Sequence, residues 1–159
     1  MRRAALVLLT TLVTCLGLVL GAAPAQAAKT SVTGTNAYEK LLVDNKQRKL
    51  VLTMWAPGGP CEIKYLAAKL RDKDGTKYTV SGGCYPGATW AASLSRGKKL
   101  VDCGGLKLAW NADKGFWRAV VPRSCLKKLD DRVKVTESYV DDYSPSPGYA
   151  GPTKYVGRG

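Results

Sequence analysis

Three kinds of side chain in this sequence could do chemistry: five cysteines, 12 carboxylates and 25 lysines and arginines, with no histidine anywhere. Without an imidazole there is no Ser-His-Asp or Cys-His machinery, no imidazole metal ligand, and no side chain that ordinarily titrates near neutral pH. Hydrolysis would then need two carboxylates about 5 to 10 Å apart. Asp72 and Asp74 fall in a turn, Asp130-Asp131 and Asp141-Asp142 are adjacent pairs at strand ends, and Glu62 and Glu137 stand singly beside basic residues. None of these makes a facing pair, so a carboxylate-dependent hydrolase ranks last among the functions considered and the chain reads as non-enzymatic. Asp72-x-Asp74-Gly75 is a poor calcium loop, because the glycine comes too early and no glutamate closes position 12. A solvated hairpin turn is expected there, and no metal or cofactor.

The cysteines speak for a compartment. Cys61, Cys84, Cys103 and Cys125 have no C-x₂₋₄-C spacing for zinc, whereas an even number in an exported chain makes a disulfide framework. Pairing Cys61 with Cys84 and Cys103 with Cys125 staples two hairpin-sized segments, each bridge contributing about 3 kcal/mol. Export is read from the N-terminus. Arg2 and Arg3 precede an apolar run over 4–22, and Ala25-Gln26-Ala27 offers small residues for cleavage after Ala27. An uncleaved anchor is the competing reading, the run being nearly long enough to span a bilayer. Cys15 lacks the small preceding residue of a lipoprotein box. The expected organisation is a signal peptide over 1–27, a domain over 28–140, and a Pro-, Gly- and Tyr-rich segment over 141–159 that is either a mobile tail or a strap. Secretion, with no membrane span once the signal is removed, follows.

Period-2 alternation dominates the middle of the chain. Leu50, Leu52 and Met54 alternate with Val51, Thr53 and Trp55 until Pro57-Gly58-Gly59-Pro60 stops the run. A strand over 41–43 meets it across a turn at 44–47. Strands over 63–71 and 76–80 flank an Asp-Gly turn suited to a hairpin. Further strands cover 88–95, 106–110, 116–121 and 132–140, with a helical turn within 124–131. About eight short strands without a helical period indicate an all-β fold, an antiparallel β-sandwich stapled by two disulfides.

The run Gly115-Phe116-Trp117-Arg118-Ala119-Val120-Val121-Pro122-Arg123-Ser124-Cys125-Leu126, followed by Val133-Lys134-Val135 and Asp141-Asp142, resembles the C-terminal half of small exported β-sandwich proteins of actinobacteria. In these a strand ends in a Val-Pro-Arg-x-Cys-Leu turn. Many members carry an Asp-rich N-terminal segment, which Thr33-Gly34-Thr35-Asn36-Ala37-Tyr38 replaces here. The resemblance implies fold and export and supplies no reaction.

Charge is the remaining signal. The whole chain carries +13; without residues 1–27, whose only charges are Arg2 and Arg3, the remaining 132 residues hold 23 basic and 12 acidic side chains, a net of +11. Alternation puts Lys107, Arg118, Arg132 and Lys134 outside the core, as candidates for one anion-binding face. Lys46, Arg48, Lys49, Arg96, Lys98 and Lys99 add basic loop tips. The expected function is a binding module for an anionic cell-envelope polymer, against the plainer reading that the lysines only solubilise the domain. No motif supports specific nucleic-acid binding. An extracellular protein partner is the other possibility: a protease inhibitor would present the loop 82–87. Trp55, Trp90, Trp110 and Trp117 are either stacking platforms for a sugar or, as expected for tryptophans on period-2 strands, core, with Trp55 the exception by parity.

Overall fold

The computed structural model describes residues 28–34, 39–84, 90–141 and 148–159. The expected signal segment 1–27, Cys15, and positions 85–87 of the inhibitor-like loop lie outside these residues.

Two antiparallel sheets form the expected sandwich, with eleven strands among the described residues rather than eight. The first sheet runs in the order β1 (Ala28–Thr33), β2 (Lys40–Asn45), β3 (Lys49–Trp55), β9 (Phe116–Pro122), β8 (Lys107–Asn111). The second runs β11 (Gly148–Ala150), β10 (Val133–Asp141), β4 (Ile63–Asp72), β5 (Lys77–Cys84), β6 (Trp90–Arg96), β7 (Lys99–Leu100). The three strands that alternation does not reveal, β1, β7 and β11, all lie at sheet edges. An edge strand takes its hydrogen bonds from one neighbour and covers little core, so it needs no alternating apolar face. The expected helical turn is a single 3₁₀ turn at Arg123–Cys125.

Leu50, Leu52 and Met54 point inward and are buried with Trp117, Ala119 and Val121 of the adjacent β9, against Leu66, Leu70, Val133 and Val135 of the second sheet. Trp117 is fully buried. Its ring stacks on Trp90 at 4.2 Å and meets Trp110 at 5.4 Å, and its Nε1 donates to the Gly58 carbonyl at 3.2 Å. Gly82 makes room for this cluster: a Cβ there would come within 2.6 Å of the Trp90 ring. Gly82, Gly83 and Cys84 therefore belong to β5 and not to a presented loop.

Both expected disulfides are present, Cys61–Cys84 and Cys103–Cys125, with Cα separations of 5.3 and 5.4 Å in the usual range. The first ties the open end of the β4–β5 hairpin, the second that of β8–β9.

The described part of the C-terminal segment, 148–159, is a strap. After β11 pairs with β10, Val135 N–H donates to Thr153 Oγ1 at 3.0 Å and Thr153 N–H returns a bond to the Val135 carbonyl at 2.9 Å. Val156 bridges Val133, and Gly159 N–H reaches the Asn45 carbonyl of the first sheet at 3.0 Å. Asn45, expected in a turn, instead ends β2 fully buried. Its Nδ2 donates to the carbonyls of Asp131 and Val156, and its Oδ1 accepts from the Arg123 guanidinium. A segment with almost no aliphatic residue is thus held by backbone and amide hydrogen bonds, plus Ala150 and Val156 in the core.

Candidate anion-binding face

Directly paired residues of an antiparallel ladder point to the same side, with Cβ atoms about 4.5–5.5 Å apart. In the second sheet Lys134 pairs with Arg71, and Arg71 with Lys77. Three cations thus stand in one row across β10, β4 and β5 on the outer face. The next row on the same face is Thr136, Lys69 and Thr79. Both rows line an open groove of about 550 Å³ that extends to Pro152 of the strap and to Gly97 in the β6–β7 turn.

Among the described residues no salt bridge neutralises this row: no carboxylate lies within ion-pair distance of Lys69, Arg71, Lys77 or Lys134, while Asp44 pairs with Lys29 and Lys46, and Asp131 with Arg158. Tyr155 of the strap takes up the row's end: its ring lies 4.7 Å from Lys134 Nζ and 5.8 Å from Lys73 Nζ. The nearby Asp72 is not solvated, as the turn reading had it. It is buried, with Oδ1 accepting from Thr76 N–H at 2.7 Å and Oδ2 from Asp130 N–H at 3.2 Å. It fastens the hairpin and the 130–131 turn.

The four cations picked out by alternation are divided. Lys107 and Arg118 are exposed on the outer face of the first sheet, where Arg118 sits between Thr53 and Ala109 and Lys107 opposite Val120. Lys134 is half-buried on the opposite side of the sandwich, and Arg132 is exposed in the turn before β10. Only Lys134 joins the row. Arg71 and Lys77 complete it with Lys69 beside it, and all three carry the same local signal: they alternate with Leu66, Ala68, Leu70 and with Tyr78, Val80 on either side of the Asp-Gly turn.

The first sheet offers instead a small aromatic corner. Trp55 is on the outer face, as its parity predicted, with its ring 5.5 Å from Phe116 and under Lys40 Nζ at 5.2 Å. Of the carboxylates considered for hydrolysis, Glu137 is buried among β10, β4 and β11. Burial, reinforced by the neighbouring Glu39, pushes its carboxyl up to about 9. Glu39 is buried as well and accepts from the Tyr139 hydroxyl at 3.1 Å.

Among the described residues no group of three or more histidine, cysteine, aspartate or glutamate side chains is arranged to hold a metal, and no helix is long and apolar enough to cross a membrane. The two disulfides suggest an oxidising, extracellular environment. The fold and face together define a disulfide-stapled β-sandwich with one cationic sheet face. No family model, curated protein or solved structure matches the chain.

Proposed function

We propose that this is an exported, non-enzymatic binding module for an anionic cell-envelope polymer, with the outer face of the second sheet as its contact surface. The observation that carries the reading is the row Lys134, Arg71, Lys77 with Lys69 beside it, which has no ion pair among the described residues. Cations gathered on one face raise the local concentration of an anionic partner far more than the same charges scattered over the surface. Export is supported by the two disulfides and by the basic start, apolar run and Ala-x-Ala of the N-terminus.

Retention on immobilised polyphosphate tests the reading. Binding should fall steeply between low and physiological salt, where the screening length is about 8 Å. K69Q with R71Q should weaken it about tenfold or more, a loss near 1.4 kcal/mol. K107Q with R118Q, the same loss of two charges, should change it less than about twofold if binding is local to the second sheet. Equal losses would mean that net charge alone accounts for binding.

A further inference from the structure

The outer face of the second sheet changes character along its strands. The end beside the Asp72 turn holds the cations Lys134, Arg71, Lys77 and Lys69. Further along come hydroxyls: Thr136 and Ser138 on β10, and Ser81 facing Ser93 across β5 and β6 with their Oγ atoms 3.0 Å apart. The far end carries Tyr65, which pairs with Val140, and beside the hydroxyls Tyr149 of the edge strand β11 pairs with Ser138. Tyr65, Val140 and Tyr149 are 43, 38 and 49% exposed. The ring of Tyr65 lies beside Gly83, where a Cβ would stand 3.9 Å from it. Arg71 and Tyr65 are six residues apart on one strand, so the face is about 20 Å long.

We infer that the ligand of this face is an acidic glycan lying along the strands, its anionic group at the Lys69–Arg71 end and its neutral sugar units over the hydroxyl band as far as Tyr65 and Tyr149. The inference rests on the proposed function and narrows its ligand. A plain polyanion would use only one end of the face. A sugar ring is amphipathic: its apolar C–H face stacks on an exposed aromatic ring, and its hydroxyls exchange hydrogen bonds with serine and threonine. A glycan with spaced acid groups meets all three bands at once.

Two probes separate the inference from the reading beneath it: inorganic polyphosphate, which has charge and no sugar, and lightly sulfated dextran, in which neutral glucose units separate the sulfates. The full disulfide-bonded protein should bind both. Y65A with Y149A should weaken the dextran probe about tenfold and leave polyphosphate unchanged, and Y65F with Y149F, which keeps the rings, should bind both like the parent. K69Q with R71Q should weaken both probes. Parent-like dextran binding by the Y65A and Y149A variant, or equal weakening of both probes, overturns the glycan assignment. If polyphosphate binding is also indifferent to K69Q and R71Q, the anionic-polymer reading falls with it.

Discussion

The outer faces of the two sheets follow the same alternation yet carry their charge in opposite ways. On the first, Asp44 pairs with Lys29 and Lys46, Lys40 rests on Trp55, and Arg118 and Lys107 have uncharged lateral neighbours. On the second, Lys134, Arg71 and Lys77 are one another's neighbours. All five of the large apolar side chains most exposed among the described residues, Tyr65, Leu100, Val140, Tyr149 and Tyr155, also belong to the second sheet or its strap. Alternation decides whether a side chain faces in or out; register across strands decides its company. The outer cations of the first sheet are paired or set apart, and the second sheet is loaded outside by adjacent cations and inside by Glu137.

The inner load gives the largest expected effect. Glu137 is buried with neither carboxyl oxygen hydrogen-bonded among the described residues, and its carboxyl is held at about 9 against an ordinary 4.5. Burial is the main cause and Glu39 the second. Below pH 4.5 the group is protonated folded and unfolded, and contributes no pH dependence. Between 4.5 and 9 the folded state binds the proton that the unfolded state releases, so stability declines steadily as pH rises, and levels off above 9. E137Q, which keeps the shape and cannot ionise, should flatten that decline and be the more stable protein at pH 8. Urea melts from pH 4 to 10 decide it: a parent curve that rises toward pH 8, or an E137Q curve of the same slope, would show that the carboxyl is not held neutral. Substituting Asp44, the acid of the first sheet, should leave the decline in place.

How much of this was legible in the sequence follows from the range of the interactions. Leu50, Leu52 and Met54 announce a strand within seven residues, and the Asp-Gly turn at 74–75 announces the hairpin that Cys61–Cys84 ties. These signals are local. The pairing of β10 with β4 joins Lys134 to Arg71 across 62 intervening residues, and no local pattern encodes it. Parity therefore gives the outward side of Lys107, Arg118 and Lys134, and of Lys69, Arg71 and Lys77 as well, but not which of them share a face. The strap was open between two states because its anchors, Thr153, Val156 and the buried Asn45, work through hydrogen bonds to distant backbone.

Those anchors give the intermediate effect. Thr153 is buried and its hydroxyl oxygen takes the Val135 N–H. T153V keeps the volume and strands that donor, costing about 1–3 kcal/mol. The damage should be confined to the second sheet: amide exchange should quicken at Thr153 and Val156 and along β10 around Val135, while Leu41 and Val43 in β2 keep their protection. Uniform quickening in both sheets would mean that the strap, which also bonds Asn45 of the first sheet, couples the two sheets into one cooperative unit.

The smallest effect tests the outer load directly. Like charges directly opposite on neighbouring strands destabilise a sheet by roughly 0.2–1 kcal/mol per pair, and Arg71 faces two of them, Lys134 and Lys77. R71T, whose β-branched side chain suits a strand, should therefore stabilise the fold by up to about 1 kcal/mol at low salt. R118T on the first sheet removes the same charge from between Thr53 and Ala109, and should stay within about 0.5 kcal/mol of the parent. In 1 M salt, where screening acts over about 3 Å, the advantage of R71T should shrink toward that of R118T. The same R71T variant should bind polyphosphate more weakly than the parent, because the repulsion that strains the row is what an anion relieves. A variant that gains stability without losing binding would break that link and move the contact surface elsewhere.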